Sequence, residues 1–147
     1  MQEFPHLYVV SASNDGSPRV QLESKGLDGL ESSAPAEFGG PGDRWSPETL
    51  MMAAVADCFI LTFKAIAAAS RFDWSHIQCE ATGRLERIDR VTRFTHIATR
   101  AILDISDESL RERAVELLHK AEKNCLVANS LSAEKELQAE VRIAQTA

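Results

Sequence analysis

Cys58, Cys79 and Cys125 are the sulfur nucleophiles of this 147-residue chain. Their number is odd and no two form a CxxC pair, so they do not make the disulfide framework of a secreted protein. Cys58 lies beside Asp57 in the long apolar stretch "WSPETLMMAAVADCFILTF", residues 45–63. Cys125 closes a stripe of Leu110, Ala114, Leu117, Leu118 and Ala121 at helical spacing. Taken singly, each fits a small core side chain, because unpaired cysteine is among the most buried residue types. Together they mean more. Two helices that each turn one thiol inward can bring the sulfurs into disulfide range, where Cα atoms stand about 5.5–6 Å apart. In a reducing compartment a facing pair points to a redox cycle more than to a structural staple. Cys79 falls in a strand with no evident partner and reads as core or surface filler. His6, His76, His96 and His119 make no metal spacing, and in "HIQC" the two side chains of a strand point to opposite faces. No metal is expected.

The elements that must position these thiols follow from patterning. Ser46 can cap a helix, Pro47 suits its first position and Glu48 complements the positive end of its dipole, which predicts a helix over about 46–70. That helix is apolar nearly all round and is expected to be covered on most sides, with Met51, Ala54, Val55, Leu61 and Ala65 sharing the side of Cys58. "LYVVSAS" and "RVQLES" read as strands joined by the turn "NDGSP"; residues 26–42 read as a weak strand and a loop. "HIQCEATGRLERID" and "RFTHIATRAILDI" form a hairpin with its turn near Asp89–Val91. A second helix starts near Asp107, and "ELQAEVRIA" is a final strand. The class is α+β, with helices packed on mostly antiparallel sheet, and one domain over residues 1–147.

Composition removes several classes of function. The net charge of −6, with both signs interspersed, offers no basic field for nucleic acid. Asp57 and Lys64 in the apolar helix would each cost roughly 2.5–3.5 kcal/mol on an insertion scale, so no membrane span is expected. "MQEFPHLYVV" has an acid and a proline where a signal peptide carries Lys or Arg, and a cytoplasmic location is expected.

"SPETLMMAAVADCF" resembles the NPE-x-L-x-x-A-x-x-x-C-F signature of the OsmC/Ohr family, and "KAEKNCLVANSL" resembles its second-cysteine motif. Pro47, Glu48, Leu50, Cys58, Phe59 and Cys125 fall in register, and the order of elements agrees over nearly the whole chain. The resemblance implies an intertwined homodimer, with sheets packed around two central helices per chain and active sites at the subunit interface. It implies thiol-dependent reduction of organic hydroperoxides, with Cys58 peroxidatic and Cys125 resolving. It implies no bound cofactor, only an external dithiol reductant of lipoyl type. A hydrophobic-ligand-binding or redox-sensing protein of the same fold is the alternative.

The chemistry implied needs a thiolate. A free cysteine has a pKa of about 8.5, raised by apolar burial, so Cys58 needs help. By resemblance the cation is Arg19, held by Glu48 through paired hydrogen bonds; Arg44, nearer the helix, is its competitor. Glu48 precedes Cys58 by ten residues, about 15 Å along a helix, so it can serve only the partner chain's thiol. The sequence departs from the family at "RWS", which puts Trp45 at the mouth of the site. It departs again at Leu126, where the family's proline is missing and the second helix is free to run on through Cys125.

Overall fold

The computed structural model describes residues 1–144, in two compact units divided between Met51 and Met52. The α+β class is as expected. The last three residues of the expected 1–147 domain lie outside the described residues.

The first unit is a three-stranded antiparallel sheet of β1 (Ser11–Ser13), β2 (Arg19–Glu23) and β3 (Leu30–Ser33), in that order. Only the end of "LYVVSAS" is strand. Leu7, Tyr8, Val9 and Val10 are β-prone but exposed, and among the described residues they form no strand; the Val9 carbonyl accepts from the Ser24 hydroxyl at 2.9 Å. The unit also starts α1 (Pro47–Ala69). Ser46 caps it as expected: its Oγ accepts from the Thr49 N–H at 3.1 Å, and Thr49 Oγ1 accepts from the Ser46 N–H at 2.9 Å. This is a capping box with threonine in the role usual for glutamate.

The second unit holds the rest of α1 and a sheet in the order β4 (His76–Ile88), β5 (Val91–Ile105), β6 (Glu134–Ile143). The β4–β5 hairpin is the expected one, and its two-residue turn has positive φ at both Asp89 and Arg90, as a type I′ connection requires. β6 runs parallel to β5, because the chain between them crosses over through α2 (Arg111–Asn124) and α3 (Leu126–Asn129). Alternate residues of β5, Ile97 to Ile105, point to the buried face. Ala101, Leu103 and Ile105 meet Phe59, Phe63 and Ala67 of α1 and Ala114, Leu117, Leu118 and Ala121 of α2 in one core.

Two expectations are corrected. The second helix does not run through Cys125: α2 stops at Asn124 and Cys125 is extended, φ −68° and ψ 107°. A proline is not needed for the break. Nor is α1 covered on most sides. Within the chain only the stripe Val55, Phe59, Phe63 and Ala67 is buried, and Met51, Ala54, Leu61 and Ala65 on the Cys58 side are exposed, because one sheet can cover only one face of a helix.

Candidate active site

Cys58 and Cys125 come together in the second unit. Cys58 sits half-buried on α1, one helical turn before Thr62, whose Oγ1 lies 3.8 Å from its sulfur. Cys125 is buried at the break between α2 and α3, where its backbone leaves the helix and α3 restarts. That break is what makes the site. The amides of Leu126 and Val127, freed at the start of α3, and the Cys125 thiol lie close enough to the Cys58 sulfur to favour its charged form.

The electrostatics separate the two thiols. Burial pushes the Cys58 pKa up, but the Val127 amide, the Cys125 thiol, the Thr62 hydroxyl and the Leu126 amide outweigh it, and the net pKa is below its ordinary value. For Cys125, burial dominates and the negative charge of Cys58 adds to it, against the amides of Ala128 and Val127; its pKa is raised. One sulfur is therefore set up as the nucleophile and the other held protonated beside it. Cys79, half-buried on β4 and packed against the main core, is pushed up to about 12 by burial and then by the charges of Cys125 and Glu80.

These shifts order the thiols in alkylation. Iodoacetamide at neutral pH should modify Cys58 first, with a rate that rises at lower pH than for a free thiol. Cys79 should stay unmodified until strongly alkaline pH. Peptide mapping after timed quenches checks the order, and equal labelling of the two would contradict it.

The other expected site residues lie in the first unit. Arg19 and Arg44 converge on one carboxylate, Glu31, at 3.4 and 3.5 Å. Gln21 donates to the same group at 2.8 Å, and with the two arginines it lowers the Glu31 pKa against the effect of desolvation. Within the chain, then, Arg19 is held by Glu31 rather than by Glu48. Glu48 is half-buried, and its Oε2 is buried with no hydrogen-bond partner among the described residues. Trp45 is half exposed just before the helix.

Three contributors escaped the sequence reading. Thr62 was open to discovery, since it stands four residues after Cys58 on the same helical face. The Leu126 and Val127 amides were not, because backbone groups carry no residue-type signal. Glu31 gave no signal either; its importance comes from strand register, which sets Arg19 opposite Ser33 and Gln21 opposite Glu31.

The fold and site together define an α+β protein with a close pair of unequal thiols. The chain belongs to the family of OsmC-like proteins, whose profile matches residues 40–140. Its curated relative YmaD of Bacillus subtilis, itself described as uncharacterized, is 26% identical over 114 residues, 76% of each chain. Among solved structures, an OsmC-like protein of unknown function from Vibrio cholerae superposes with a TM-score of 0.79 at 21% identity, over 93% of this chain and 99% of that one. An organic hydroperoxide resistance protein from Elizabethkingia anophelis gives 0.78 at 18% identity, over 97% and 100%. At these identities the structures establish the shared fold.

Proposed function

We propose that the chain is a thiol peroxidase that reduces organic hydroperoxides to alcohols. The observation that carries the reading is the pairing of two free thiols, half-buried Cys58 on α1 and buried Cys125 at the α2–α3 break, each of which shifts the other's ionisation. The Cys58 thiolate attacks the outer peroxide oxygen and the O–O bond breaks. The alkoxide leaves and takes a proton to become the alcohol, and Cys58 is left as sulfenic acid. The Cys125 sulfur then displaces hydroxide, which departs as water, and a Cys58–Cys125 disulfide forms. An external dithiol, of lipoyl type by family resemblance, reduces it. No bound cofactor or metal takes part, and the location is cytoplasmic. The name of the Elizabethkingia relative supports the same substrate class. The test is consumption of cumene or tert-butyl hydroperoxide with a dithiol as reductant; no turnover would leave a binding or sensing role for the same fold.

The active form is a homodimer, with the whole chain acting as one domain. Only 22% of the apolar window of α1 is buried in a single chain, and the N-terminal Leu7, Tyr8, Val9 and Val10 are exposed as well. An apolar surface of this extent is covered in a stable soluble protein, and a second copy would do it. Light scattering at micromolar concentration should give twice the chain mass, and an active monomer would contradict the reading.

The cation that favours the Cys58 thiolate is Arg19, by family resemblance, with Arg44 as the competitor. The partner chain's Glu48 would orient it. Their common tie to Glu31 makes the two arginines alike in the chain, so variants must separate them. Arg19→Ala should cut peroxidase activity and slow Cys58 alkylation at neutral pH much more than Arg44→Ala, by about tenfold for each pKa unit lost. The reverse order would transfer the role to Arg44.

A further inference from the structure

One titratable group beside the thiol pair is unused by the reaction as described. Glu122 stands one turn before Cys125 on α2, and its Oε2 is buried with no hydrogen-bond partner among the described residues. A buried carboxylate oxygen without a partner is costly, and its persistence calls for an explanation. Glu122 and Cys125 line one cavity of about 10 Å³, walled by Val55 and Phe59 and edged by Thr99 and Lys135. This is room for a single water, with polar groups around it to hold that water.

We propose that Glu122 is the proton relay for the resolving thiol, acting through the cavity that it shares with Cys125. The inference rests on the peroxidase reading for its place in the cycle, but its chemistry belongs to disulfide closure whatever oxidised Cys58. Cys125 is held protonated, so it must lose a proton before its sulfur can attack. The Glu122 carboxylate accepts that proton through one water. The S–S bond forms as the Cys58 S–O bond breaks, and the departing hydroxide takes the proton back from Glu122 to leave as water. Charge and atoms balance with no further reactant.

The groups facing Glu122 suit the role. Burial raises its pKa, and His119, one turn earlier on α2, lowers it by a smaller amount. A carboxylate with a raised pKa is a stronger base than an ordinary one. Lys135 of β6 edges the cavity, but its Nζ is committed to the carbonyl oxygens of Leu131 and Ala133 at 2.6 and 2.7 Å. From α1, Val55 and Phe59 bring no charge to the cavity. On the far side of the thiol, Cys58 of α1 acts on Cys125 directly, and Cys79 of β4, its own pKa pushed up to about 12, brings no charge near neutral pH.

The test uses the full-length chain with Cys79→Ser and a chromogenic aryl disulfide. Cys58 attacks the reagent and releases one coloured thiolate, then Cys125 closes the protein disulfide and releases a second. Glu122→Gln should leave the first phase within about twofold and slow the second by roughly tenfold to a hundredfold at neutral pH. In wild type the second phase should be nearly flat with pH above the Glu122 pKa. In Glu122→Gln it should climb about tenfold per pH unit, because the Cys125 thiolate must then form unaided. Glu122→Asp, which keeps the carboxyl, should recover part of the rate and the flat profile. A second phase unchanged in Glu122→Gln overturns the proposal. So does one slowed equally at every pH, which would mark a merely structural role. Because no hydroperoxide is used, a chain that fails to turn over hydroperoxides but shows this slope loses the peroxidase reading and keeps the relay.

Discussion

Cys58→Ser should abolish hydroperoxide consumption, whereas Cys125→Ser should complete one oxidation and then stall. The difference follows from the roles that the local electrostatics assign. The amides of Leu126 and Val127, the Thr62 hydroxyl and the Cys125 thiol stabilise negative charge on the Cys58 sulfur, and a serine hydroxyl in that place carries none at neutral pH. Cys125 is needed only afterwards. Without it the sulfenic acid on Cys58 persists, and a sulfenic-acid trap should capture it as an adduct at Cys58 seen by mass spectrometry. Cys79→Ser should be nearly neutral, since a thiol with its pKa pushed up to about 12 has no thiolate to offer. Cys58→Ser protein with wild-type activity would remove the peroxidase reading altogether. Sulfenic acid trapped at Cys125 in the Cys58→Ser protein, with none at Cys58 in Cys125→Ser, would exchange the two roles.

Leu118→Ala should produce a large loss of stability without touching the site. Leu118 is fully buried on α2, in the core that joins α1, α2 and the sheet. Removing its isobutyl group forfeits transfer free energy and leaves a cavity that close-packed neighbours cannot fill, a cost of about 3 kcal/mol. For a chain of this length that corresponds to a fall of roughly 6–12 °C in the thermal midpoint. Leu27→Ala is the control: Leu27 is 71% exposed, and its loss should change stability by no more than about 0.5 kcal/mol. Thermal melts followed by circular dichroism measure both. A Leu118→Ala midpoint within two degrees of wild type, an order-of-magnitude threshold set by the same scaling, would mean that the helix–sheet core is not what holds this unit together.

Much of this architecture could be read before folding, because it depends on local chemistry. The start of α1 was legible in Ser46 and Pro47, since a capping hydroxyl and a fixed φ act within one turn of chain. The β4–β5 hairpin was legible in two β-prone runs around a short turn, and the apolar stripe of α2 in its three- and four-residue spacing. The candidacy of Cys58 and Cys125 came the same way, each as one thiol on an apolar helical segment. What periodicity could not reveal was anything that depends on two segments distant in sequence. The parallel pairing of β6 with β5 is one case, for strand direction is decided by the crossover and not by the strand. The break at Cys125 is another. Leu126 is as good a helix former as its neighbours, so local propensity predicts continuation; the tertiary structure instead ends α2 at Asn124 and brings the freed amides of α3 close to a sulfur some seventy residues earlier in the chain. The residue types by themselves determined that this chain has two thiols able to form a redox pair. Which of them is acidic was decided by tertiary structure alone, because a thiol's pKa depends on the amides, hydroxyls and charges brought to it, and those are set by folding.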